Sequence, residues 1–147
     1  MSLHITQEIL QRIHQHGERS YPEEGAGLLL GETLDHDHHV REILPLDNAR
    51  EAPARHNRYL LSPQDYLQGE ELAESLGFTV LGVFHSHPDH PDQPSEFDRQ
   101  WAWPNLSYLI TSVQQGEASG SRSWRLRDDR AAFEEEQLAV VIGNPSH

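Results

Sequence analysis

Three side chains that could bind a metal ion lie near the middle of the 147-residue chain. The apolar run of residues 80–84 predicts a buried strand, and side chains alternate between the two faces of a strand. His85 and His87 therefore point to the same side, and Asp98 supplies a carboxylate after a proline-rich loop. Two imidazoles and one carboxylate suit zinc and leave a fourth position for water, as in catalytic sites. The spacing predicts a zinc centre held by these three side chains.

Ser95 and Asp98 also fit a structural interpretation. Ser-x-x-Asp before a helical run resembles a capping box, in which Ser95 would cap a short helix that extends to about Trp103. The two interpretations are compatible at Asp98, because a side chain in the first turn of a helix can still face a metal ion. Both stay open at this point.

The same segment fits one rival metal signature. His85 to His90 reads His-x-His-x-Asp-His, which is typical of metallo-β-lactamase-type hydrolases. That fold needs further histidine ligands downstream, and His147 is the only histidine that follows His90. The histidine count therefore disfavours this reading.

Residues 85–88 (His-Ser-His-Pro), with Ser95 and Asp98 at their spacing, resemble the motif of the JAMM (MPN-plus) zinc metallopeptidases, in particular their small stand-alone bacterial type. The resemblance extends over nearly the whole chain. It implies an α/β fold, a single-domain mixed β-sheet flanked by helices, similar to the layer architecture of cytidine deaminases. It also implies a Zn²⁺ cofactor on the three ligands named above.

The resemblance assigns two catalytic roles. Of the carboxylate pair before the apolar strand, Glu24 matches the family's general base, and Glu23 is expected to be solvated. Ser95 matches the serine that stabilises the oxyanion. The implied reaction is hydrolysis of an amide bond after the C-terminal glycine of a ubiquitin-like protein, including sulfur carriers that end in Gly-Gly. The alternative is a non-catalytic binding or scaffold module of the wider superfamily.

Hydrophobic periodicity and cap residues predict the elements that must position these side chains. One domain is expected over residues 1–143, with a C-terminal tail at 144–147. The histidine-rich tract 36–39 is interpreted as a hairpin loop, and residues 133–142 fit either a helix or a strand. The predicted helices cover residues 3–20, 63–76 and 95–103, and the predicted strands cover residues 28–31, 40–46, 59–61, 80–84, 107–113 and 121–127.

Composition narrows the classes of partner and compartment. The chain has 11 basic and 24 acidic residues, a formal charge of −13, which disfavours binding to nucleic acid or to an anionic membrane. With no cysteine, disulfides, cysteine-based zinc sites and a cysteine nucleophile are excluded. The start of the chain shows no signal-peptide pattern, and no apolar run approaches the ~20 residues that span a bilayer. A cytoplasmic location is the expectation.

Overall fold

The computed structural model describes residues 1–46 and 62–142. Within these residues, seven strands form a mixed sheet that closes into a barrel in the order β1-β3-β2-β4-β5-β6-β7. The strands are β1 Ser2–Thr6, β2 Ala26–Leu34, β3 Asp37–Leu46, β4 Thr79–Pro88, β5 Ser107–Gln114, β6 Glu117–Leu126 and β7 Phe133–Val141. The helices of the described residues are α1 Gln7–Ser20, α2 Pro63–Leu76 and α3 Glu96–Trp101. None of these helices is long and apolar enough to cross a membrane.

Apolar side chains fill both faces of the sheet. On one face, Ile9 and Ile13 of α1 pack into a cluster with strand residues such as Phe84. On the other face, Ala73 of α2 packs into a second cluster with residues such as Val83. The expected mixed sheet flanked by helices is confirmed, and closure of that sheet into a barrel is an additional feature.

The start of the chain differs from the prediction. Ser2–Thr6 forms strand β1 and is not the first turn of the helix, because Leu3 and Ile5 are buried there. β1 pairs in parallel with β3 on one side and with β7 on the other. The Thr6 hydroxyl accepts a hydrogen bond of 3.1 Å from the amide of Ile9 and so caps α1. Residues 133–141 form strand β7, which settles the ambiguous segment.

The histidine tract lies mainly in a strand, so its assignment to a loop is wrong. β2 and β3 are joined by Asp35 and His36 alone, whose φ values of 51° and 70° suit a tight hairpin turn. Strand alternation then separates the remaining histidines. His38 points inward to the Ser107 hydroxyl, whereas His39 stacks on the ring of His4 at 4.3 Å. The tract does not converge on one site.

Helix α2 follows its sequence signals. Ser62 and Asp65 form a reciprocal capping box, Pro63 opens the helix, and Gly77 closes it with a φ of 79°. Its residue Gly69 lets the helix approach Leu28 of the sheet closely, because an added Cβ would lie 2.2 Å from Leu28 Cδ1. The predicted strand at residues 59–61 and the tail at 144–147 lie outside the described residues.

A buried polar cluster lies beneath β3, β6 and β7. Arg125 donates to Glu136 at 2.6 Å, and Ser123 donates to the other oxygen of the same carboxylate at 2.6 Å. His38 is 5% exposed, and its ring lies near these charges. Burial, followed by the charge of Arg125, lowers the pKa of His38 from 6.5 to about 4, against the opposite effects of Glu136 and Asp37.

His38 is expected to make the fold less stable in mild acid. Between its unfolded pKa of 6.5 and its folded pKa of about 4, only the unfolded chain binds the proton, so stability falls as the pH falls through this window. We expect His38→Gln to reduce the loss of unfolding free energy between about pH 7 and about pH 5 by ~1–2 kcal/mol. Denaturant unfolding at the two pH values measures this loss of unfolding free energy in each variant. The exposed His36 gives the control His36→Gln, and an equal pH dependence in both variants and the wild type would contradict the assignment.

Candidate metal centre

Three elements bring the predicted site residues together. β4 places His85 and His87 on one face, with rings 4.9 Å apart. Glu24 lies directly before β2, which pairs with β4 so that Ala26 is opposite His85. Asp98 lies in the first turn of α3. All four side chains are buried, with exposures from 1% to 8%.

The protonation of His87 follows from its partners. Its Nδ1 lies 2.8 Å from the carbonyl oxygen of Pro91. A carbonyl only accepts, so Nδ1 carries a proton and the lone pair of the neutral ring is on Nε2. That Nε2 lies 3.2 Å from Asp98 Oδ2. Two acceptors therefore face each other unless a proton or a metal ion lies between them.

His85 lies between the two carboxylates of the site. Its Nε2 is 3.8 Å from Asp98 Oδ1, and its Nδ1 is 3.7 Å from Glu24 Oε1. The Nε2 atoms of both histidines thus face Asp98, while Glu24 lies beside the other ring nitrogen of His85. The two carboxylates thus lie beside different nitrogens of the His85 ring, and both are close enough to the histidines to be candidate ligands.

Asp98 forms the predicted capping box, and its carboxylate also lies beside both histidines. Its Oδ2 accepts a hydrogen bond of 2.8 Å from the backbone amide of Ser95, and the Ser95 hydroxyl accepts one of 3.1 Å from the amide of Asp98. This is a complete capping box, and the same carboxylate faces both histidines. The Ser95 hydroxyl acts as an acceptor in the cap, so its own proton can still be donated to another group.

Electrostatics favour a cation at this position. Burial alone would raise the pKa of the Asp98 carboxyl, but the rings of His85 and His87 hold that pKa well below its usual range. Burial likewise tends to lower the pKa of His87, and the hydrogen bond and charge of Asp98 reverse this and raise it. The carboxylate is therefore ionised, and either a proton on His87 or a metal ion can balance its charge.

The donor set fits a zinc ion. Two imidazoles with a carboxylate are ligands that zinc prefers. Among residues 1–46 and 62–142, Glu24, His85 and His87 are the group whose three ligating atoms lie within 4.8 Å of one another. A cavity of about 400 Å³ opens on the site, lined by Glu24, His87, Ser95, Asp98 and the loop from Pro88 to Pro94.

Other candidates from the sequence lie away from this centre. Asp89 is exposed, and its carboxylate accepts hydrogen bonds from the Tyr21 hydroxyl at 2.7 Å and the Gln115 amide at 2.8 Å. His90 is exposed as well. The metallo-β-lactamase reading needs both as ligands, so their positions argue against it. Glu23 is only half-buried, in contrast to the buried Glu24.

The loop after β4 is held by contacts that the sequence did not reveal. The Ser112 hydroxyl donates to the carbonyl of His90 at 2.6 Å, and the Trp124 indole donates to the carbonyl of Asp92 at 3.0 Å. Between them lies Pro91, whose carbonyl orients His87. The prolines of this segment indicated a rigid loop, but nothing in the pattern indicated which carbonyl would lie next to the histidine.

The chain matches one protein-family model and resembles two named peptidases. A family model described as prokaryotic homologs of the JAB domain matches residues 6–127. The chain is 31% identical over 108 residues to a probable TtuB-protein conjugate cleaving protease of Thermus thermophilus, covering 74% of this chain and 68% of that protein. It is 28% identical over 138 residues to a CysO-cysteine peptidase of Mycobacterium tuberculosis, covering 93% of this chain and 90% of that protein.

Solved structures show the same fold. A protein from Desulfitobacterium hafniense superposes with a TM-score of 0.85 at 28% identity, covering 99% of this chain and 97% of that one. A JAB1/MPN domain protein from Archaeoglobus fulgidus superposes with a TM-score of 0.59 at 20% identity, covering 95% and 96% of the two chains. The second likeness concerns the fold alone.

Proposed function

This chain belongs to the family of prokaryotic homologs of the JAB domain, and from that membership we propose that it is a zinc-dependent peptidase. Its substrate is a conjugate or fusion of a ubiquitin-like protein, which includes sulfur-carrier proteins. It hydrolyses the amide bond that follows the C-terminal glycine of that protein. We place this reaction in the cytoplasm, where a chain without cysteine needs no oxidising environment.

One observation carries the proposal. The Nε2 lone pair of His87 faces the ionised Asp98 carboxylate at 3.2 Å, within a buried cluster that also contains His85 and Glu24. A buried arrangement of this kind is stable with a cation at its centre and costly without one. His85, His87 and Asp98 would hold the ion. When bound, zinc supplies Lewis-acid polarisation of a carbonyl and lowers the pKa of water towards ~7.

The remaining side chains have separate roles in hydrolysis. Glu24 takes a proton from the attacking water and passes it to the leaving amine as the carbon–nitrogen bond breaks. Its burial and its position beside His85 hold the carboxylate at the centre. Ser95 lines the cavity and donates its hydroxyl proton to the oxygen on which negative charge develops. The capping bond to the Asp98 amide fixes the Ser95 oxygen in this position.

The substrate class is supported by the relatives and by the shape of the cavity. One relative is named as a probable TtuB-protein conjugate cleaving protease and the other as a CysO-cysteine peptidase. The cavity wall between Pro88 and Pro94 contains three prolines and lies close to the buried side chains of Glu24, His87 and Asp98. A tail that ends in two glycines has no side chains to collide with such a wall, whereas bulkier residues would.

The direct test uses a ubiquitin-like protein that ends in Gly-Gly and is fused to a peptide. We expect cleavage after the last glycine, loss of cleavage with 1,10-phenanthroline, and recovery when zinc is added back. Mass spectrometry of the products locates the bond. A matched fusion with both glycines replaced by valine should resist cleavage. Cleavage that continues undiminished in the chelator, or none in any zinc-loaded sample, would overturn the proposal.

A further inference from the structure

Ser86 lies between the two histidines of the centre but points away from them. Alternation along β4 turns its side chain to the opposite face, so it cannot be a ligand. Its hydroxyl oxygen accepts a hydrogen bond of 2.8 Å from the amide of Gly25. Its own amide donates one of 2.9 Å to the carbonyl of Gly25. Ser86 thus contacts both backbone groups of the residue that follows Glu24.

These two bonds extend the pairing of β2 and β4 past its regular end. The last paired residues are Ala26 and His85, and strand β2 begins only at Ala26. Glu24 lies before the strand, and the contacts of Gly25 with Ser86 determine where its backbone leaves the sheet. Without the hydroxyl, the Gly25 amide would lose the acceptor given by Ser86.

Water has little access to replace that acceptor. Ser86 is 3% exposed, and α1 covers it. The close packing depends on Gly17, where an added Cβ would lie 3.1 Å from Ser86 Cβ. On the other side of the loop, a Cβ on Gly25 would lie 2.6 Å from the Ser20 hydroxyl. The segment that carries Glu24 is therefore confined between the end of α1 and β4.

We propose that Ser86 is a positioning residue, whose hydroxyl holds the backbone of Gly25 so that the Glu24 carboxylate stays at the centre. The role of Glu24 as a base rests on the proposed function, whereas the contact itself does not. If the Ser86 hydroxyl had only a structural role, its removal would affect stability alone. A positioning hydroxyl must also change turnover through Glu24, since small displacements of a reacting group cost large factors in rate.

Two sets of variants test this on the full chain. We expect Ser86→Ala to lower kcat ~10-fold with KM unchanged within about twofold, because substrate contacts are not altered. Ser86→Thr and Ser86→Val have the same shape and differ by the hydroxyl. We expect kcat of the Thr variant to exceed that of the Val variant ~10-fold. The proposal would be overturned if Ser86→Ala had the kcat of the wild type, or if Ser86→Thr and Ser86→Val had equal kcat.

A readout without zinc or substrate separates this inference from the proposed function. In metal-free protein, hydrogen exchange of the Gly25 amide should be at least ~10-fold faster in Ser86→Ala, while exchange of Leu28 stays unchanged. Unchanged exchange at Gly25 overturns the inference even if the wild type shows no peptidase activity. An inactive wild type refutes only the proposed function.

Loss of a buried hydroxyl elsewhere provides the matched control. Ser107 is fully buried, and its hydroxyl bonds to His38 at 2.7 Å. We expect Ser107→Ala to lower the unfolding midpoint while keeping kcat. If Ser107→Ala and Ser86→Ala lose turnover in proportion to their loss of stability, Ser86 has no positioning role.

Discussion

Glu24→Gln is expected to lower kcat by at least ~100-fold, the scale of general acid–base catalysis, and to keep the bound zinc. The glutamine has nearly the same shape as the glutamate but cannot accept the proton of the attacking water at neutral pH. Retention of the metal is expected because Asp98 lies beside the Nε2 atoms of both histidines and remains in place as their carboxylate partner. Steady-state kinetics and metal analysis of the same sample measure both outcomes.

The neighbouring carboxylate is the control. Glu23→Gln removes an equal charge one residue earlier, on a half-buried side chain that lies before the buried Glu24. We expect its kcat to stay within about twofold of the wild type, since it takes no part in proton transfer. Equal losses in the two variants would refute the assignment of the base. Loss of zinc in Glu24→Gln would instead identify Glu24 as a ligand. This outcome is possible because a carboxylate oxygen of Glu24 lies within 4.8 Å of a ring nitrogen of each histidine.

His87→Ala is expected to weaken zinc binding by at least ~100-fold. This is more than the effect of removing a residue that only hydrogen-bonds to a metal ligand. The change removes one of three ligands and leaves the ionised Asp98 with His85 as its remaining ring partner. Peptidase activity should be lost with the metal. The wild type should gain ~4 kcal/mol of unfolding free energy at a zinc concentration a thousand times its Kd, and the variant should gain little.

The histidine tract requires its own control in this experiment. His36 is exposed in the turn between β2 and β3, and we expect His36→Ala to bind zinc with the affinity of the wild type. Weakly bound ions on the protein surface can be removed with a mild competing chelator before the titration. If His87→Ala kept tight zinc and His36→Ala lost it, the assigned centre would be wrong.

The positions of the candidate metal ligands could largely be predicted because their signals are local. His85 and His87 are fixed to one side by strand alternation, and this needs no knowledge of the rest of the fold. Asp98 could be placed because its proline-rich connection is short and its helix begins with a cap. The structure brings these residues together with Glu24 and Ser95. The resemblance, and not the spacing, identified Glu24, since a carboxylate before a strand has no local signature.

The closure of the barrel could not be predicted because it depends on distant contacts. Ser2–Thr6 is short, and Ile5 continues the helical spacing of Ile9 and Ile13. Only pairing with β3 and β7 makes it a strand. β7 has few apolar residues in its first half, and its buried Glu136 is explained by Arg125 on the neighbouring strand. A buried ion pair between distant residues leaves no periodic pattern in the sequence.

The contact of Ser86 with Gly25 was missed for a related reason. A serine between two histidines has no signature of its own, because its role depends on which backbone lies on the other face of the sheet. The glycines that allow this approach, Gly17 and Gly25, were visible in the sequence. Their partners become evident only when α1 and β2 are placed against β4.

Closure of the barrel has a consequence for the order in which the chain folds. The parallel ladder between β1 and β7 joins Leu3 to Leu138, so it cannot form until nearly all of the chain has been synthesised. The candidate metal ligands on β4 and α3, and Glu24 before β2, are synthesised much earlier. Parallel pairing between distant strands forms slowly, because the chain between them loses conformational entropy before the contacts of the two strands are made. We expect the catalytic half of the molecule to gain structure first, and the first strand to dock last.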